Sequence, residues 1–188
     1  FEGEKSEYSL KTLNSIINSI NNNKQLFEKI KLKFTIIDHN SDNQILEKFS
    51  TLLDKQFFEN EIIKLDVNFY AKQINKINEE GKEVTKNQIS NMSNIHQSFN
   101  IARKCEDLVY FVEDDYLHKL DSIEEMIFTY EKISTQLNNE LILCPSDYPY
   151  LYSNIQKSNI FLGNKYHWRS IEESLCTFLT SSKLLNKH

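Results

Sequence analysis

Three consecutive carboxylates, Glu113-Asp114-Asp115, follow directly on the apolar run Leu108-Val109-Tyr110-Phe111-Val112. Adjacent carboxylates repel one another unless a cation sits among them. Hard oxygen ligands of this kind suit Mg²⁺ or Mn²⁺, and those ions in turn bind substrate phosphates. A second acidic strand end is Asp38, which closes Phe34-Thr35-Ile36-Ile37 and opens the polar turn Asp38-His39-Asn40-Ser41-Asp42. Ligands of open α/β sheets bind just past the carboxyl ends of strands. Both ends are therefore candidate site positions. The bland reading of the acidic triplet is a solvated turn with an Asp capping the next helix.

Other residues offer weaker chemistry. The turn Pro145-Ser146-Asp147-Tyr148 follows a strand, so Asp147 could reach a sugar or an acceptor; the alternative is a rigid proline turn with packed tyrosines. Tyr166-His167-Trp168-Arg169 combines rings with a cation. Aromatic faces stack on sugars and arginine pairs with phosphate, although Trp168 equally suits a core. Glu172 and Glu173 could supply a general base, or form a solvated pair at a helix start. His39, His96 and His118 show no metal-ligand spacing, and His118 reads as a surface histidine.

The elements that must position these groups follow from periodicity. Leu10, Leu13, Ile16, Ile17 and Ile20 recur at helical spacing, and Asn21-Asn22-Asn23 ends that helix. Ser41 with Gln44 forms a capping-box pattern for a helix reaching about Leu53. Glu61 to Val67 reads as a strand, Asn68 to Lys86 as a surface loop with helical pieces, and Met92 to Lys104 as a helix. Asp121 or Ser122 caps the next helix, and Ser122 with Glu125 repeats the capping-box pattern, before the apolar face of Ile123, Met126, Ile127, Tyr130, Ile133 and Leu137. Strands follow at Leu141 to Cys144, Ile160 to Leu162 and Cys176 to Leu179. Strands alternating with helices predict an α/β fold with a mostly parallel sheet in one domain over residues 1–188.

Composition narrows the function classes. The 188 residues are 39% hydrophobic and 12% aromatic, an ordinary globular balance. With a formal net charge of −5 and scattered basic residues, nucleic acid is excluded as an expected partner. No apolar run approaches the ~20 residues that span a bilayer. Cys105, Cys144 and Cys176 are widely spaced and lack a CxxC pair, which predicts reduced, mostly buried thiols and a cytoplasmic setting.

The order of these features resembles GT-A fold glycosyltransferases of the family-2-like kind. Asn94 to Tyr116, a polar helix followed by a strand ending in Glu113-Asp114-Asp115, is similar to the family's helix and strand ending in a D-x-D motif. Glu113 here stands where the family has Asp. Asp38, Ser41 and Asp42 match its Asp-x-x-Ser-x-Asp turn beside the nucleotide base. The resemblance runs from about Leu10 to Leu185.

It implies a metal-dependent transfer of a sugar from a nucleotide-sugar donor to an acceptor hydroxyl, on a glycan or a lipid-linked acceptor. Asp115 with Glu113 would bind Mn²⁺ or Mg²⁺ at the donor diphosphate. Asp38, Ser41, Asp42, Glu113 and Asp114 would contact the donor, and Asp147, Trp168 and Arg169 the sugar or acceptor. Glu172 and Glu173 are the candidates for the base. The family's first strand and its usual acidic pair after the last helix have no counterpart here, so a chain truncated at one or both ends is expected, binding donor but transferring poorly. A sugar-phosphate nucleotidyltransferase is the alternative enzyme, disfavoured because Gly3, Gly81 and Gly163 form no phosphate loop. A phosphoacceptor receiver domain is disfavoured by spacing: one helix and one strand separate Asp115 from Asp147. A non-catalytic nucleotide-sugar-binding module is the third alternative.

Overall fold

The structure is a computed structural model that describes residues 5–78, 80–146, 148–153 and 157–187. It is a mixed α/β chain with seven α-helices and three small sheets among the described residues. It divides into two compact units, one formed by residues 1–30 and 106–188 and the other by residues 31–105.

The unit of residues 31–105 is built on one parallel pair. β1 (Lys33–Asp38) and β2 (Glu59–Lys64) run in register from Lys33↔Glu59 to Asp38↔Lys64, joined by α3 (Asn43–Leu53). Lys33 bridges Glu59 and Glu61 at 3.1 and 3.2 Å. After β2 the chain enters α4 (Val67–Tyr70) and a 3₁₀ turn, Ala71–Gln73, and then α5 (Lys86–Ala102). Gln97 of α5 is buried and ties the end of β2: its amide donates to the Lys64 carbonyl at 3.1 Å and its oxygen accepts from the Asp66 N–H at 2.9 Å.

The other unit packs α1 (Lys5–Asn22) on α6 (Ser122–Leu137), with the short α2 (Lys24–Phe27) after α1. Leu13, Ile16, Ile17 and Ile20 are buried at i, i+3, i+4 and i+7, and Met126, Tyr130 and Ile133 are buried on α6. α6 ends where Asn138 adopts the left-handed conformation at φ 49°, as helix C-termini commonly do. The sheet of this unit has the order β3 (Leu108–Phe111), β7 (Phe178–Ser181), β4 (Ile142–Leu143). A hairpin of β5 (Ile160–Leu162) and β6 (His167–Arg169) precedes β7, and α7 (Ser182–Leu185) follows it.

Mostly parallel pairing is not what the described strands show. β1–β2 is parallel, whereas β7 lies between β3 and β4 and runs antiparallel to both. The reason lies in the connections: α6 carries the chain from β3 to β4, but a hairpin rather than a packed helix leads from β4 to β7. A connection without a crossover helix returns the chain in the opposite direction.

Several local expectations also shift. Asp42, not Ser41, is the N-cap of α3, and neither Asp42 nor Asp121, the N-cap of α6, makes a side-chain cap bond. A complete capping box instead opens α5, where Thr85 accepts from the Gln88 N–H and Gln88 reciprocates. That box starts α5 at Lys86, six residues before the Met92 expected from periodicity. Residues 167–169 form a strand although their sequence carries no strand pattern. The cysteines are free thiols, Cys105 exposed and Cys144 and Cys176 half-buried, so none is fully buried as expected.

Candidate functional site

The acidic triplet sits immediately after β3, in the segment that leads to α6. Phe111 pairs with Phe178 of β7, and this register brings Thr177, which is buried, against the start of the triplet. The Glu113 N–H donates to Thr177 Oγ1 at 3.1 Å. On its other side the segment is fastened to α1 by serines. Ser9 donates to Asp114 Oδ2 at 3.0 Å, Ser15 Oγ accepts from the His118 N–H at 3.0 Å, and Ser19 Oγ accepts from the Ile123 N–H at 3.3 Å.

Electrostatics single out Glu113. Glu113, Asp114 and Asp115 are all exposed residues. Lost hydration around the Glu113 carboxyl pushes its pKa up, and the charges of Asp115 and then Asp114 push it further. Hydrogen bonds from Thr177 and the Cys176 backbone oppose the rise. A carboxylate raised by its neighbours' charge is one that a cation would stabilise. Among the described residues, no group of three or more His, Cys, Asp or Glu side chains is arranged to hold a metal ion. Mg²⁺, however, is often held through only one or two carboxylates, with substrate phosphates and water completing its shell. Glu113 and Asp115 both stand open to solvent, and the charge of Asp115 is one of the effects that raise the Glu113 carboxyl.

Aromatic hydroxyls line the base of the segment. Tyr116 and Tyr148 join hydroxyl to hydroxyl. Burial, followed by the bond to Tyr148 and the nearby charges of Tyr148, Glu113 and Asp115, raises the Tyr116 pKa well above the ordinary phenol. The Tyr110 hydroxyl meets His118 Nε2 at 2.8 Å. His118 is thus not a surface residue: it is half-buried, and loss of hydration lowers its pKa. Its partners Tyr110, Ser15 and Tyr116 are spread over β3, α1 and the loop itself, so no local spacing announces them.

The remaining expected residues are placed as follows. Asp38 Oδ1 accepts from the Ser41 N–H at 3.2 Å, which shapes the turn after β1, and Asp42 begins α3. Asp147 lies outside the described residues. Trp168 Nε1 donates to Glu125 Oε1 at 3.1 Å, and the Arg169 guanidinium lies 4.6 Å from the centre of the Tyr152 ring. Glu172 and Glu173 are exposed on the β6–β7 segment. That same segment ends at Cys176 and Thr177, which bond to Glu113.

Glu125 is the buried carboxylate that sequence reasoning mistook for half of a capping box. It is 2% exposed and gathers the hairpin turn. It accepts from the backbone N–H groups of Asn164, Lys165 and Tyr166 at 3.1, 2.7 and 3.3 Å, and from Thr129 Oγ1 at 2.9 Å, besides Trp168. The neighbouring Gly163 is the signal that could have exposed it. A Cβ there would lie 2.6 Å from Glu125 Oε1, Thr129 Oγ1 and Trp168 Cδ1.

No protein family, curated protein or solved structure was found to match the chain. No helix among the described residues is long and apolar enough to cross a membrane.

Proposed function

We propose that the chain is a GT-A-like, metal-dependent glycosyltransferase domain whose donor site is organised by the acidic loop after β3. The observation that carries this reading is the coupled pair Glu113 and Asp115, exposed at a strand end and flanking an Asp114 already engaged by Ser9. Asp115, with Glu113, would hold Mn²⁺ or Mg²⁺. Bound there, the ion would neutralise charge on the leaving diphosphate, an effect worth several kcal/mol of barrier. Thr177 and the Cys176 amide, just ahead of β7, hold Glu113 in place, and Ser9 holds Asp114. The nucleoside role of Asp38, Ser41 and Asp42, the sugar or acceptor role of Asp147, Trp168 and Arg169, and a cytoplasmic setting belong to the same proposal. Glu172 and Glu173 are the candidate bases, supported by the contact of their own segment with Glu113.

Calorimetry with UDP or GDP, with and without Mn²⁺, tests the reading. The Asp115→Asn variant should lose Mn²⁺-dependent nucleotide binding while keeping its fold. The Asp114→Asn variant should retain most of it, because that carboxylate is already committed to Ser9. Equal losses from both variants count against the Glu113-x-Asp115 assignment.

A further inference from the structure

Half-buried His118 faces one group whose hydrogen-bonding role is fixed, the Tyr116 carbonyl, and two hydroxyls, those of Tyr110 and Ser15. Nδ1 lies 3.2 Å from the Tyr116 carbonyl, which can only accept, so Nδ1 carries the proton. Nε2 is then the acceptor, and the Tyr110 hydroxyl 2.8 Å away donates to it. The two rings meet edge to face, with centroids 5.7 Å apart. Ser15 Oγ, 3.4 Å from Nδ1, gives its own proton to the Thr12 carbonyl at 2.8 Å and accepts the His118 backbone N–H. One imidazole therefore joins β3, α1 and the far end of the loop that bears the acidic triplet. Burial, which lowers the His118 pKa, agrees with a neutral ring.

We propose that Tyr110, His118 and Ser15 form a brace that orders the acidic loop, making His118, as its Nδ1-protonated tautomer, the positioning residue for the carboxylates of Glu113 and Asp115. The functional half of this inference rests on the metal-site reading above; the ordering of the loop does not. Groups that orient metal-ligating side chains typically change metal affinity by about 10–100-fold when removed.

The test compares His118→Phe, which keeps the ring volume and loses both nitrogens, with His118→Asn, whose amide can again donate towards the Tyr116 carbonyl, and with Tyr110→Phe. Peptide-resolved hydrogen exchange reads the loop, with α6 as the internal control for folding. His118→Phe and Tyr110→Phe should speed exchange across residues 113–118, where the Glu113 and His118 amides are hydrogen-bonded, by about tenfold or more, with α6 unchanged and His118→Asn intermediate. Nitrogen NMR of the wild-type ring should show Nδ1 protonated and Nε2 bare. Mn²⁺-dependent UDP binding should weaken about tenfold or more in His118→Phe. Unchanged loop exchange, or the opposite tautomer, overturns the brace. Faster exchange with unaltered Mn²⁺–UDP affinity overturns the positioning role. A wild-type chain that binds no Mn²⁺–UDP sinks the metal-site reading and the positioning role together, and leaves the brace to be decided by exchange and NMR.

Discussion

Glu125 shows how a single buried charge can organise a local fold. Burial alone would raise its pKa, but donors from Trp168, Lys165, Thr129 and Tyr166 outweigh that effect and hold the carboxyl below its ordinary value of 4.5. A depressed folded-state pKa contributes stability above the unfolded value, and that contribution fades as pH falls through the folded value. Glu125→Gln should therefore cost about 2–3 kcal/mol at pH 7, since charged hydrogen bonds are lost and an amide N–H₂ faces other donors. The gap between wild type and Glu125→Gln in urea unfolding should narrow as pH drops below 4.5. A gap that stays constant from pH 7 to 3 would show that the charge does not matter. Gly163→Ala should destabilise by about 1–3 kcal/mol through overpacking, because its Cβ would crowd three side-chain atoms at once.

At the scale of elements, the sequence was most legible where periodicity alone decides. The apolar stripe of α1 and the run of β3 appear where periodicity puts them, and so does that of α6 except at its end, where Leu137 is 51% exposed. Caps were less legible, because a cap pattern records only what a side chain could do locally. Ser122 and Glu125 have the spacing of a capping box, yet Ser122 Oγ donates to the Lys119 carbonyl and Glu125 is drawn to a hairpin some forty residues away. Ser41 with Gln44 fails similarly, because the turn is closed by the Ser41 backbone on Asp38. Thr85 with Gln88 is the box that forms, in a stretch too polar for periodicity to mark. Of the candidate site, the acidic strand end was visible in sequence. Its supports were not, since Ser9, Ser15 and Thr177 reach it only through tertiary packing. Thr85→Ala should thus lower stability by about 1 kcal/mol, while Ser41→Ala should stay within about 0.5 kcal/mol of wild type. Paired thermal melts would reverse this account if Ser41→Ala proved the costlier change.

Over the whole molecule, the division into units is not collinear with the chain. Residues 1–30 join residues 106–188, although the 75 residues between them form a unit of their own. Nothing in the stripe of α1 says which partner will cover it, because periodicity names a buried face and not the element that buries it. Within residues 31–105, Leu53 is fully buried at the end of α3, and its carbonyl accepts from the Asn60 side chain at 3.2 Å, linking that helix end to β2. Phe49, Phe58 and Leu65 are buried in the same unit, and Phe34 and Phe58 stand with ring centroids 6.0 Å apart. Leu53→Ala should leave a cavity costing about 2–5 kcal/mol. The loss should be read first in this unit, as faster amide exchange in α3, β1 and β2. If β1 and β2 keep wild-type protection in Leu53→Ala, Leu53 is not the residue that holds this small parallel pair against its helix.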